Sequence, residues 1–312
     1  MRILVTGARG KVGAAAVAVL HDAGHQVTAT DLARPSFEAN PGGVGYRQAD
    51  LTDAGDAYAI VRGHDAIVHA AALPEPSQNP PHRVFGNNLM AVFNVLEAAV
   101  RWGASRFVNL SSETVPGMAF AERRFLPDYV PVDEAHPIRP QDPYALAKHF
   151  GEQLMDAATR RSDITAVSIR PSWVQWEGNI AHNLGDWLRE PPPSEGFWAY
   201  IDVYDLADAI RLAAEAGTPG HEVVYIASPD VPLHEPLEVV ARRLHGDATP
   251  EIRPGATSGI SIAKARRLLG YDPQRSWRDY LDDEGRLRPA ARERLERGET
   301  GVQVGRRLQG VG

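Results

Sequence analysis

The chain has 312 residues, no cysteine and a net charge of −7, with 33 basic against 40 acidic side chains. This composition excludes a disulfide framework, a thiolate nucleophile, a thiolate metal site and the basic face that nucleic acid or an anionic membrane requires. The eleven histidines form no metal-ligand pair backed by carboxylates and no apolar run approaches a membrane span, so a soluble cytoplasmic protein that binds no metal and acts on a small molecule is expected.

The N-terminus enters directly into an apolar run, RILVT at residues 2–6, which reads as a buried strand and not as a signal peptide. Gly7, Arg9, Gly10, Lys11, Val12 and Gly13 follow, and residues 14–23 are helical in pattern. Strand, glycine turn and helix in that order are the context of a dinucleotide-binding loop. Gly7 would permit the tight turn, Gly10 would let backbone N–H groups approach a pyrophosphate, and Gly13 would let the helix pack close on the sheet. A second strand, residues 26–30, runs into Asp31, eighteen residues after Gly13. A carboxylate there can accept both hydroxyls of the adenosine ribose and repels a 2′-phosphate, which argues for NAD. Arg9 and Arg34 are placed to pair with a phosphate and keep NADP open.

Residues 44–48 read as a third strand, with Asp50 and Leu51 at its carboxyl end near an adenine edge. Asp50 reads equally well as a cap on the next helix, residues 52–62. The fourth strand, residues 66–69, leads into Ala70, Ala71 and Ala72, whose small side chains leave room for a flat ligand. Four prolines between residues 73 and 82, Pro74 among them, predict an extended loop. Residues 88–101, starting at Asn88, carry a wide apolar helical stripe. A fifth strand, residues 107–110, ends at Leu110 and is followed by Ser111, Ser112 and Glu113. Hydroxyls at a strand's carboxyl end are candidates to hold a reacting oxygen, with a turn role as the alternative.

Residues 113–141 predict an irregular cover over the site. Asp142 then reads as an N-cap and Pro143 as a first helical position, so that Tyr144 and Lys148 lie one turn apart on one helix face. A neighbouring cation and the positive helix end would both favour the phenolate, which would make Tyr144 a general base. Only Lys11, Lys148 and Lys264 are lysines among the 33 basic residues, so a lysine at this position suggests that arginine would not serve. A sixth strand, residues 165–169, ends near Pro171, Ser172 and Trp173. Alternating strands and helices through residue 170 specify an α/β fold, a doubly wound parallel sheet with ligand across the strands' carboxyl ends.

Taken in order, TGARGKVG at residues 6–13, Asp31, Asp50-Leu51, HAAA at 69–72, NLMAVFNVLEAA at 88–99, Ser111-Ser112, PYALAK at 143–148 and RPSWV at 170–174 resemble the extended short-chain dehydrogenase/reductases, the NAD-dependent epimerase/dehydratase superfamily. YIDVYDLADAI at 200–210 and AKARRLLGYDP at 263–273 extend the likeness over nearly the whole chain. The resemblance implies Tyr144 as general base, Lys148 holding the nicotinamide ribose and lowering the Tyr144 pKa, and Ser112, five residues before Gly117, binding the substrate oxygen. It implies Asn88 on the cofactor side of the site, and a homodimer through the helices that begin near residues 88 and 142. Glu113-Thr114 stand where dehydratase branches carry an Asp-Glu pair, which argues against dehydration. The implied division is an NAD-binding Rossmann domain, residues 1–170 completed by 201–227, and a small substrate lobe with a C-terminal tail, residues 171–200 and 228–312.

Fewer than thirty residues separate Pro171 from Tyr200, with no Lys or Arg between 172 and 188, which argues for a small substrate without a nucleotide handle. Trp173, Trp176, Trp187 and Trp198 fall here among Asn179 and His182, a mixture that suits a polyol ring or, equally, a small aromatic core. Pro74, Ser112, Glu113, Trp173, Asn179 and His182 are the substrate candidates. Short sugar-oxidising members such as uronate dehydrogenases are nearest in lobe size, and they hold the substrate carboxylate with an arginine from this lobe. This chain offers none before Arg189, which leaves Arg83, Arg123 or Arg124 from the covering loops. The residues from 285 on read as a mobile tail or an arm on a partner. The expected activity is hydride transfer between a small sugar-like substrate and NAD, with an epimerase using the same residues as the alternative and a dinucleotide-sensing regulator as a third reading.

Overall fold

The computed structural model describes residues 1–33 and 44–297, so Arg34 and residues 298–312 lie outside the described residues. The strand and helix order is β1 (Arg2–Thr6), α1 (Lys11–Asp22), β2 (Gln26–Asp31), β3 (Gly45–Gln48), α2 (Ala54–Val61), β4 (Ala66–His69), α3 (Pro81–Trp102) and β5 (Arg106–Leu110). There follow β6 (Tyr129–Val130), α4 (Pro143–Arg161), β7 (Thr165–Pro171), β8 (Trp173–Gln175), α5 (Ile180–Arg189), β9 (Tyr200–Asp202) and α6 (Val203–Glu215). The chain continues through β10 (His221–Ile226), α7 (Leu237–His245), β11 (Glu251–Ile252), α8 (Ala263–Leu269) and α9 (Pro289–Glu296).

Seven strands form one parallel sheet in the order β10-β7-β5-β4-β1-β2-β3. Ile3, Leu4 and Val5 of β1 and Ile67 and Val68 of β4 are wholly buried, as continuous apolar strands must be when helices cover both faces. One face packs Val5, Val68, Val108 and Val167 against Val17 and Leu20 of α1 and Leu206 and Ile210 of α6. The other packs Leu4, Ile67 and Phe107 against Ala57, Val95, Leu96 and Met155 from α2, α3 and α4. The order reverses between β1 and β4, which opens a crevice at their carboxyl ends.

Beyond the sheet, β8 and β9 pair in parallel, Trp173 opposite Tyr200. Phe197 and Trp198 pack with Val130, Leu233, Leu237 and Val240, and Ile180, Leu184 and Leu188 of α5 pack with Tyr200, Trp277, Tyr280 and Ala291. Two expectations change here. The helix assigned to residues 88–101 begins two turns earlier, because Pro81 sits in its first turn, where a missing N–H costs nothing. The charged segment after residue 285 is no free arm up to residue 297: α9 buries Ala291 against α5 and Trp277.

Candidate active site

The glycine loop is set by contacts that allow no side chain. A Cβ on Gly7, whose φ is +64°, would lie 2.6 Å from the Ala71 amide nitrogen, and one on Gly13 would lie 2.1 Å from the Gly7 carbonyl oxygen. Gly10 caps α1 without a side-chain hydrogen bond, so the first-turn N–H groups of Lys11, Val12 and Gly13 face the crevice without an acceptor from a cap. Val12 is half-buried against the core. The Asp31 carboxylate, at the end of β2, accepts from the amides of Arg9 at 3.0 Å and Ala33 at 3.3 Å, and so is tied to the loop. Ala71 donates its amide to Thr6 Oγ1 at 3.2 Å, and Thr6 Oγ1 also meets His69 Nδ1 at 3.0 Å. Burial, with the Lys148 charge second, pushes the His69 imidazole down to about 3, so it is neutral. A diphosphate suits uncapped helix N–H groups, ribose hydroxyls suit Asp31, and a flat ring suits Ala70, Ala71 and Ala72; these residues fit a dinucleotide.

Several expected cofactor residues have local duties. Asp50 accepts from Thr52 N at 2.9 Å and Thr52 Oγ1 at 2.6 Å, while Asp53 caps α2. The Leu51 side chain is buried and its carbonyl accepts from Asn94 Nδ2 at 3.1 Å. Asn88 holds the proline loop in place, accepting from Leu73 N at 2.7 Å and donating to Leu73 O at 2.9 Å. Pro74 next to it is exposed. Lys11 lies 3.5 Å from the centre of the Trp176 ring, which ties the loop to the β8 segment.

On α4, Asp142 caps the helix through the amides of Tyr144 and Ala145, both at 2.9 Å. Tyr144 and Lys148 are each about nine-tenths buried and face the carboxyl end of β5. Lys148 Nζ donates to Leu110 O at 2.6 Å, and Ser112 hydrogen-bonds the Tyr144 phenol. Ser112 Oγ also accepts from Thr114 N at 3.1 Å. The expected fall in the Tyr144 pKa is not what this geometry produces. Burial dominates and pushes the phenol up to about 12 against the lowering by Ser112, and burial brings Lys148 down to about 8, with Glu152 opposing.

Ser111 is drawn away from the crevice: its hydroxyl donates to Glu152 Oε1 at 2.6 Å. Glu152 in turn receives Arg170 Nε at 2.8 Å and Nη2 at 2.7 Å, in a pair whose side chains are only 3% exposed. Ser172 is buried with its Oγ 3.5 Å from Ile226 O, and Pro171 O accepts the Glu113 amide at 3.1 Å. Glu113 is half-buried beside Ser112, and burial pushes its carboxyl up to about 8, opposed by the Trp173 backbone N–H. Glu152 was legible in the sequence, since Tyr144, Lys148 and Glu152 repeat every four residues on one helix face. Phe120, whose ring meets Tyr144 edge-on at 6.3 Å, carried no such signal.

Of the four tryptophans between residues 173 and 198, Trp198 is wholly buried, and Trp173, 40% exposed, tilts against Trp187 at 5.0 Å. Asn179 folds back on its own turn, accepting from Trp176 N at 2.8 Å. His182 points to solvent with 89% of its side chain exposed, and both therefore leave the group of substrate candidates. Arg83 and Arg123 are exposed, and Arg124 lies 3.8 Å from Glu195. Among the described residues no cluster of His, Cys, Asp and Glu could hold a metal ion, and no helix is long and apolar enough to cross a membrane.

A parallel sheet with a glycine loop at its switch point and a Ser-Tyr-Lys set at the end of the central strand defines a dinucleotide-binding enzyme of the short-chain dehydrogenase type. Residues 3–183 match the NAD dependent epimerase/dehydratase family, and the chain belongs to it. It is 27% identical over 310 residues to a UDP-glucose 4-epimerase of Corynebacterium glutamicum, covering 88% of this chain and 91% of that protein. It is 28% identical over 227 residues to a uronate dehydrogenase of Pseudomonas syringae pv. tomato, covering 72% and 73%. Among solved structures, a short-chain dehydrogenase/reductase superfamily protein of Agrobacterium tumefaciens with bound NAD superposes with a TM-score of 0.70 at 22% identity, over 96% of this chain and 99% of that one.

Proposed function

We propose that the protein is an NAD-dependent oxidoreductase that takes hydride from a hydroxyl-bearing carbon of a small, sugar-like substrate. The observation that carries this reading is the meeting of Ser112, Tyr144 and Lys148 at the end of β5, with Ser112 near enough to the Tyr144 phenol to lower its pKa and Lys148 anchored on Leu110 O at 2.6 Å. NAD, when bound, supplies the hydride acceptor and a cationic ring. Ser112 holds the substrate oxygen, Tyr144 takes its proton as the C–H hydride departs, and Lys148 fixes the ribose side and stabilises the phenolate. The alcohol thereby becomes a carbonyl, one proton is released and one NADH forms. Gly7, Gly10 and Gly13 with the first turn of α1 would hold the diphosphate, and Asp31 would hold the adenosine ribose in preference to a 2′-phosphate.

The purified protein incubated with NAD and a panel of free sugars is expected to accumulate NADH in proportion to substrate. Tyr144→Phe is expected to lower turnover by about 10²–10⁴-fold with NAD binding retained, and an unchanged rate would remove Tyr144 from the chemistry. A phenol near 12 acts as a base only in its ionised fraction, so oxidation should rise with pH through the alkaline range in the wild type, and the rise should vanish in the variant. Similarity to a UDP-glucose 4-epimerase over 88% of the chain supports a second reading, in which hydride returns to the opposite face and no net NADH appears. The absence of Lys and Arg between residues 172 and 188 weighs against a nucleotide-bearing substrate.

Residues 171–200 with those from 228 onward are read as the substrate side and the sheet as the cofactor side, in a cytoplasmic protein. Met90 and Phe93 on α3 and Phe150 on α4 expose apolar surface where a second copy would pack as a homodimer. Light scattering that returns the mass of a monomer would sink the dimer.

A further inference from the structure

Glu113, beside Ser112, is an ionisable group that hydride transfer does not use. Its amide donates to Pro171 O at 3.1 Å, which holds it between the carboxyl ends of β5 and β7. Its carboxyl receives the Trp173 backbone N–H and is near enough to the Tyr144 and Tyr225 phenols to raise the pKa of both. No cation acts on it among the described residues. Arg170, which shares Tyr225 with it at 3.3 Å, is held on two sides by Glu152, and Lys148 is held by Leu110 O. A half-buried carboxyl without a cation is favoured in its neutral form, which carries both a donor and an acceptor.

We propose that Glu113 is the specificity-determining group of this pocket: it hydrogen-bonds an uncharged, hydroxyl-bearing substrate such as an aldose and rejects one that carries a carboxylate. The inference rests on the reading of the site as an oxidoreductase acting on a sugar-like substrate. A substrate carboxylate beside Glu113 would meet either a like charge or an uncharged acid, at a point where no cation acts among the described residues. A neutral polyol finds Glu113 as donor and acceptor, and the residue whose backbone N–H meets that carboxyl, Trp173, exposes 40% of its surface for a C–H face.

The test uses the full chain with two matched pairs, D-galactose with D-galacturonate and D-glucose with D-glucuronate. NADH formation is followed with NAD, and binding is measured by calorimetry with NADH in place, which does not depend on turnover. The wild type is expected to favour the aldose on the order of a hundredfold or more in at least one pair. Glu113→Gln, which keeps a neutral donor, should retain the preference, and Glu113→Lys should narrow it by at least about tenfold. Preference for the uronate, equal use of both sugars, or a ratio that Glu113→Lys leaves unmoved overturns the proposal. If the aldose alone binds and no NADH forms, the oxidoreductase reading falls while the specificity holds. If both sugars of a pair reduce NAD alike, the oxidoreductase reading holds and the specificity falls. Binding of no sugar overturns both.

Discussion

The two sides of the site bury charge in opposite ways. Under the end of the sheet, Glu152 is matched by Arg170 through two hydrogen bonds and by Ser111 through a third, and Lys148 is fixed on a strand carbonyl. Toward β8, Glu113 has no cation acting on it among the described residues, Trp173 is 40% exposed and Phe120 is 38% exposed beside Tyr144. The sheet side is therefore rigid and complete before substrate arrives, as a fixed reaction requires. The β8 side keeps a carboxyl without a cation among the described residues and a partly exposed ring, which in the proposed reading are what a substrate would meet.

Removing one member of the matched set should have the largest effect on stability. Glu152→Ala would leave the Arg170 guanidinium, 3% exposed, without its carboxylate and free Ser111 from its acceptor. A loss of about 3–5 kcal/mol is expected, read as a fall in the denaturation midpoint at constant slope. A loss under about 1 kcal/mol would mean that the sheet side is not held together by this pair.

The comparison also explains what the sequence could reveal. The glycine loop, Asp31 and the Asp142-Pro143-Tyr144-Lys148 helix start were legible because each is a local pattern whose geometry follows from a few adjacent residues. The parallel sheet followed from the alternation of those patterns. The start of α3 is not legible, because a proline reads as loop in the sequence whether or not it occupies a first helical turn, as Pro81 does. The Tyr144 pKa departs from its spacing for a different reason: charge proximity can be read from spacing, but burial by β5, Ser112 and Phe120 depends on residues far apart in the chain, and burial is the larger effect here. The spacing to Gly117 sets Ser112 apart from Ser111 in the sequence, and the approach of Glu152 from α4, which takes up the Ser111 hydroxyl, supplies the physical reason that no local pattern carries.

On the β8 side, Trp173→Ala should act on binding and not on folding. The residue is 40% exposed and its ring tilts against Trp187 at 5.0 Å, so the space its loss leaves opens to solvent and is not a buried cavity. KM for the sugar should rise by about tenfold with kcat little changed, and the midpoint of unfolding should hold. A fall in kcat with constant KM would place Trp173 with the reacting atoms and erase the distinction between the two sides.

The smallest effect is expected at His182, where the residue pattern and the structure part company. Set among tryptophans and amides, it suggested a sugar contact. On α5 its side chain is 89% exposed, with Asp186 one turn away at 4.0 Å, while Ile180, Leu184 and Leu188 take the buried face of the helix. An exposed contact of this length contributes little, because water screens it and two side chains must be ordered to make it. His182→Ala is therefore expected to change stability by less than about 0.5 kcal/mol and to leave KM and kcat where they were. A rise in KM in this variant would mean that α5 turns its outer face to the substrate, and the polar side of the pocket would then have to be rebuilt around His182 instead of Glu113.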